Sequence, residues 1–176
     1  VLDDAMANFK VDPERVLVGG YSMGGYGSSR LAMLYPDRFA GLSNWVGFTG
    51  SMLNTPLPGN PLVAGEQALQ SATGGAFPLK GRVGADLNIS NYLGNLRHVP
   101  GTHSYAALDE LVQVTTGLDW SQKLAAAQDV IYEFYMHSTA EHLTLIALDE
   151  WSKEAAFTKN LKRVTNPSRI TFTTNE

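Results

Sequence analysis

The 176-residue chain has no cysteine. Disulfides, a thiolate nucleophile and thiolate-held metals are therefore excluded, while the compartment stays open. It has no apolar run near the ~18 residues of a membrane-spanning helix. It also lacks a positive excess: 13 Lys and Arg against 17 Asp and Glu give a formal net charge of −4, which offers nucleic acid no basic stripe. Charged residues are sparse at 17%, against 44% apolar, the composition of a globular domain with a sizeable core. There is no H-E-x-x-H, no G-x-x-x-x-G-K-[ST] and no carboxylate–histidine cluster, so no metal or nucleotide cofactor is expected. No stretch has the pattern of a signal peptide, and the first residue is Val1. Val1 to Lys10 reads as the tail of an amphipathic helix, with Leu2, Ala5, Met6 and Phe9 on one face.

What the chain does have is Gly20-Tyr21-Ser22-Met23-Gly24-Gly25. Arg15 to Gly19 before it is a short apolar run that predicts a buried strand. Tyr26 to Tyr35 after it predicts a helix, stopped at Pro36-Asp37. A serine between two glycines at that junction matches the G-x-S-x-G nucleophile elbow. Such a turn strains the serine, requires glycines where side chains would collide, and lifts Ser22 Oγ to the positive end of a helix. There the Met23 N–H can hold an oxyanion. The plainer alternative is a glycine-rich turn with an idle serine.

Ala40 to Phe48 predicts a second strand, and strand–helix–strand alternation argues for a three-layer α/β fold with a mostly parallel sheet. Residues 51–88 are rich in Gly, Pro, Ser, Thr and Asn, with a short helix expected around Leu62–Leu69, and predict a lid-like insertion. Ile89 to Arg97 leads into a third strand, His98 to Ala106. Thr116 to Ala127 predicts a helix, Val130 to Met136 a fourth strand, and Leu143 to Leu161 one long amphipathic helix. Residues 1–162 thus form a partial α/β domain. The tail, 163–176, carries a β-like run at Arg169–Thr173 that could begin a further element.

A serine hydroxyl needs a base, usually histidine, and the histidine needs a carboxylate to fix its tautomer. In a sheet of this type they arrive in the order Ser, acid, His, on loops at the C-terminal ends of strands. His98 lies at the wrong end of the third strand, and His103 lies within it. His137 ends the fourth strand and His142 lies in the loop beyond, which makes His142 the preferred base. Asp109, in the loop after the third strand, is the preferred acid over Glu110, Asp86 and Asp119. Its plainer reading is a turn or helix-cap aspartate. Tyr21 and Phe48 are the candidate substrate-binding residues.

The segments Val11-Asp12-Pro13-Glu14-Arg15-Val16 to Gly25-Tyr26-Gly27 and Leu34-Tyr35-Pro36-Asp37-Arg38-Phe39-Ala40-Gly41 resemble the prolyl-oligopeptidase-like serine hydrolases. That α/β-hydrolase group includes peptidases and related esterases. Asn95-Leu96-Arg97-His98-Val99-Pro100 and Asp109-Glu110-Leu111-Val112 look like the group's approach to its acid loop, and Ala140-Glu141-His142-Leu143 like its histidine loop. The resemblance implies Ser22 as nucleophile, Asp109 as acid and His142 as base. It also implies a domain of about eight strands, of which the four read here are the C-terminal ones. One edge of the elbow strand would then be bare, and a second copy of the chain or an N-terminal partner piece would complete the sheet. The expected function is a serine hydrolase, esterase before peptidase, because the insertion is apolar and lightly charged. The alternative is a catalytically idle half-domain used in binding or assembly.

Overall fold

The computed structural model describes residues 1–49, 64, 65, 68, 71, 72, 88–148 and 151–174. The expected insertion, its short helix and Asp86 lie almost wholly outside the described residues.

Four strands form one sheet in the order of the sequence: β1 (Leu17–Tyr21), β2 (Gly41–Trp45), β3 (Gly101–Ala106) and β4 (Tyr132–His137). Every pairing is parallel. The register aligns Tyr21, Trp45, Ser104 and Tyr135 in one row, so all four C-terminal ends open on the same edge of the sheet. The helices are α1 (Leu2–Asn8), α2 (Met23–Leu34), α3 (Val114–Ala126), α4 (Thr144–Ala147) and α5 (Ser152–Thr158), with 3-10 segments at Pro36–Arg38 and Ile89–His98.

Side chains alternate across a strand, so the sheet has two distinct faces. Leu42 and Tyr105 face Met33, Leu96, Trp120 and Leu124, which come from α2, the long 3-10 segment and α3. Trp45 and Ala106 face Leu145 of α4, and Ser104 is bonded to Glu154 of α5. The result is the three-layer arrangement expected, with a dry core on one side of the sheet and a smaller one on the other.

Three expectations change. The lead-in to β3 is a 3-10 segment, because Ile89, Tyr92, Leu93 and Leu96 are buried at one-sided helical spacing. Asn88 caps that segment by accepting the Ser90 N–H, and β3 starts at Gly101 rather than His98. The single helix over Leu143–Leu161 is two short ones. Leu145 and Glu154 are both buried against the sheet. At about 100° per residue, nine residues put them on opposite sides of one straight helix, so a break is required for both to face inward. The β-like tail forms no strand among the described residues. Asn95 takes the place of a pairing strand, donating from Nδ2 to the Thr173 carbonyl and accepting the Thr173 N–H on Oδ1.

Candidate active site

Ser22 sits between β1 and α2 with φ 56° and ψ −116°. This is backbone space that non-glycine residues rarely occupy, and its use marks a position over-determined by its surroundings. A Cβ on Gly20 would fall 2.2 Å from the Gly24 carbonyl oxygen, and one on Gly25 would fall 2.6 Å from Asn44 Oδ1 and 2.7 Å from the Trp45 oxygen. Those two glycines are dictated by close backbone approach. Gly24 is not, since its missing Cβ would meet nothing within 4 Å; there the sequence expectation of a steric need is corrected. Met23 is the first residue of α2 and is 74% exposed. By helix geometry its N–H has no intrahelical acceptor, and it points outward at the positive end of the helix.

The structure brings Ser22, His142 and Asp109 into one hydrogen-bonded chain. His142 Nε2 lies 3.0 Å from Ser22 Oγ, and His142 Nδ1 lies 2.8 Å from Asp109 Oδ2. Asp109 follows β3, and His142 follows β4 through a short turn. The side chains of both are nearly removed from solvent, at 0% and 5% exposure. A carboxylate can only accept, so Nδ1 carries the proton of a neutral ring and Nε2 is left to accept from the serine hydroxyl. The other oxygen of Asp109 is not idle. Oδ1 accepts the N–H groups of Leu111 at 2.9 Å and Val112 at 2.7 Å. The plain turn reading and the imidazole-holding reading are therefore both true of this residue, one for each oxygen.

The remaining candidates lie elsewhere. His137 ends β4 and stacks on Trp45, with centroids 5.8 Å apart. His98, at the opposite end of the sheet, bonds the Arg169 carbonyl at 2.8 Å. His103 is fully buried within β3, accepts from the Trp120 indole at 3.1 Å, and is held neutral by burial, which pushes its pKa down to about 3. Asp119 pairs with Lys123 one turn along α3.

Two contacts to the histidine loop have no signature in the sequence. Glu110 Oε2 accepts the His142 backbone N–H at 3.2 Å, and hydrogen bonds from its own and the His142 amide hold its carboxyl below the usual glutamate value. The Tyr21 hydroxyl donates to the His142 carbonyl, and its ring stands edge-on to the imidazole at 5.6 Å. Burial, and then the charges of Asp109 and Glu110, push the Tyr21 pKa up to about 12, so the hydroxyl remains a donor. Tyr21, a candidate for touching substrate, is thus seen holding the histidine loop. Phe48, the other such candidate, stacks on Tyr26 with centroids 4.6 Å apart. Adjacency to Asp109 was the only available hint for Glu110. For Tyr21 the partner is 121 residues away and no local pattern marks it.

No protein-family model and no curated protein sequence matches the chain. Solved structures do. The acylaminoacyl peptidase of Pyrococcus horikoshii superposes with a TM-score of 0.72 at 15% identity, over 97% of this chain and 27% of that one. Porphyromonas gingivalis dipeptidyl peptidase 4 gives 0.65 at 13% identity, over 90% of this chain and 21% of the other. The S-formylglutathione hydrolase of Agrobacterium tumefaciens gives 0.64 at 17% identity, over 90% and 54%. The chain spans about a quarter of the peptidase chains and about half of the S-formylglutathione hydrolase. The fold is accordingly that of an α/β-hydrolase domain in part, shared with structures of the prolyl-oligopeptidase-like peptidases.

Proposed function

We propose that this chain carries the nucleophile, base and acid of a serine hydrolase that cleaves carboxylic esters or peptides by acyl transfer. The observation that supports this best is the Ser22–His142–Asp109 chain, in the order Ser, acid, His along the sequence and on three strand ends of one parallel sheet. His142 Nε2 takes the hydroxyl proton as Ser22 Oγ attacks the carbonyl carbon. The Met23 N–H and a second donor from outside the motifs hold the resulting oxyanion. The imidazolium, balanced by Asp109, returns its proton to the leaving group. Water, activated by the same histidine, then releases the acyl group. Leu53, Leu57, Leu62, Leu69 and Phe77 in the insertion favour an uncharged ester or an apolar acyl group over a charged peptide. No cofactor takes part in this scheme.

The same reading includes a sheet partner. Val16 accepts from Ala40 and Ser22 donates to Trp45, so the even-numbered residues of this strand bond β2. By alternation Leu17, Gly19 and Tyr21 direct their backbone groups away from β2, toward an edge unpaired among the described residues. A second copy or an N-terminal partner piece would add a strand to that edge.

Turnover of a panel of p-nitrophenyl and peptide anilide substrates tests the chemistry. Ser22→Ala should remove turnover without changing the circular dichroism of the fold; a variant that keeps wild-type turnover contradicts the assignment.

A further inference from the structure

Ser22 has a strained companion. Val46, just past the end of β2, is fully buried and has φ 43°, a value β-branched residues almost never adopt. Such a conformation persists only where neighbours hold it. Here the Val46 N–H donates to the Ser104 carbonyl at 2.8 Å, and the Gly47 N–H donates to Asn44 Oδ1 at 3.0 Å. The Tyr105 hydroxyl donates to the Gly47 carbonyl at 2.7 Å and accepts from Asn44 Nδ2 at 3.3 Å. Asn44 Nδ2 also lies 3.4 Å from His103 Nδ1, which fixes which way the amide points. Asn44 and Tyr105, both buried, therefore close a ring of hydrogen bonds across residues 44–47.

That ring abuts the elbow at two places. The Ser22 N–H donates to the Trp45 carbonyl at 2.9 Å, and this carbonyl belongs to the peptide that Val46 turns. A Cβ on Gly47 would fall 2.6 Å from the Gly25 carbonyl carbon and 2.7 Å from the Tyr26 nitrogen, so the turn is wedged against the first turn of α2. Neither Asn44 nor Tyr105 has a contact with Ser22 Oγ or His142 among the bonds described above. Their influence passes through the backbone.

We propose that Asn44 and Tyr105 are positioning residues of the hydrolase: by holding the Val46 turn they fix the Trp45 carbonyl and, through it, the Ser22 amide and the angle at which Ser22 Oγ meets His142. The inference rests on the reading of Ser22 as nucleophile, and it makes the end of the neighbouring strand part of the catalytic framework.

The test compares wild type, Tyr105→Phe and Tyr105→Phe/Val46→Gly in the full chain. Phenylalanine keeps the ring packed on Phe134 and beside Gly117. Glycine adopts φ 43° without strain, so the turn no longer needs the hydroxyl. Tyr105→Phe should lower kcat on an activated ester about tenfold with KM within about twofold, and should speed amide exchange at Ser22 and Gly47 while β4 amides keep their protection. The double variant should regain most of the kcat even though its melting temperature falls further, because the buried Val46 methyls are gone. A purely structural role predicts the reverse, with kcat following the melting temperature downward; that result, or unchanged exchange at Ser22 in Tyr105→Phe, overturns the proposal. Absence of turnover in well-folded wild type counts against Ser22 as nucleophile, and the exchange measurement then decides the positioning claim by itself.

Discussion

Asp109 divides its hydrogen bonds between two oxygens, and this makes its proposed role as the acid testable without unfolding the loop. Asn at that position keeps an oxygen for the Leu111 and Val112 amides, but it no longer offers a carboxylate to His142 Nδ1. The imidazole then loses its enforced tautomer and its counter-charge. Asp109→Asn should lower kcat by about 10³–10⁴-fold with a nearly unchanged melting temperature; a loss of less than about tenfold would remove Asp109 from the role. Glu110 offers a pH test of the histidine loop. Its folded pKa lies below the ordinary value of 4.5, held down by the amides it accepts from. Its contribution to stability is thus complete above that value and is lost as the pH falls through the lowered one. Thermal midpoints of wild type and Glu110→Gln should differ by a constant amount above about pH 4.5 and converge in acid. A gap that stays open in acid would mean the carboxylate charge is not what holds His142. That Asp109 and His142 meet each other beside Ser22 was legible because strand-end order and loop position single them out. Tyr21 and Glu110 were not legible as clamps, since each acts on the His142 backbone through a contact that only the folded sheet creates.

At the level of elements, the β1–α2 junction depends on one glycine more than on its neighbour. Ala at position 20 would drive a methyl into the Gly24 carbonyl, backbone against backbone. Gly20→Ala should therefore cost more than ~2 kcal/mol or displace Ser22. Gly24→Ala meets open space inside a helix and should be neutral or stabilising by up to ~1 kcal/mol. Chemical denaturation of the two variants checks this, and equal costs would contradict the geometry. The sharp turn at Ser22, its strand and its helix were readable because an apolar run, glycine punctuation and a Pro stop coincide within about twenty residues. The break between α4 and α5 was not, because helical periodicity in 143–161 looks continuous until the sheet demands that both Leu145 and Glu154 face it. The helical lead-in did leave a trace in the sequence: Ile89, Tyr92, Leu93 and Leu96 recur at i, i+3, i+4 and i+7, and their one-sided burial agrees with it.

For the whole molecule, the decisive feature is that β1, the strand that leads into Ser22, stands at an edge of the described sheet. Leu17 on it is 45% exposed. An apolar parallel edge without proline, lysine or a bulge invites another strand. Light scattering coupled to gel filtration should therefore find the chain associated, as a self-pair or with an added N-terminal piece, and a well-dispersed monomer at tens of micromolar would contradict that. The mostly parallel sheet and three-layer build were foreseeable from strand–helix alternation, whereas residues 51–88 have too little periodicity to read beyond composition. No described helix is long and apolar enough to cross a membrane.

Reaction with a fluorophosphonate, followed by mass spectrometry of the adduct, tests whether Ser22 is the activated nucleophile proposed above. One stoichiometric adduct is expected on the peptide containing Ser22, absent from Ser22→Ala. A folded sample that stays unlabelled at Ser22, or labelling that persists in Ser22→Ala, would contradict it and leave the chain as a hydrolase fold used for binding or assembly.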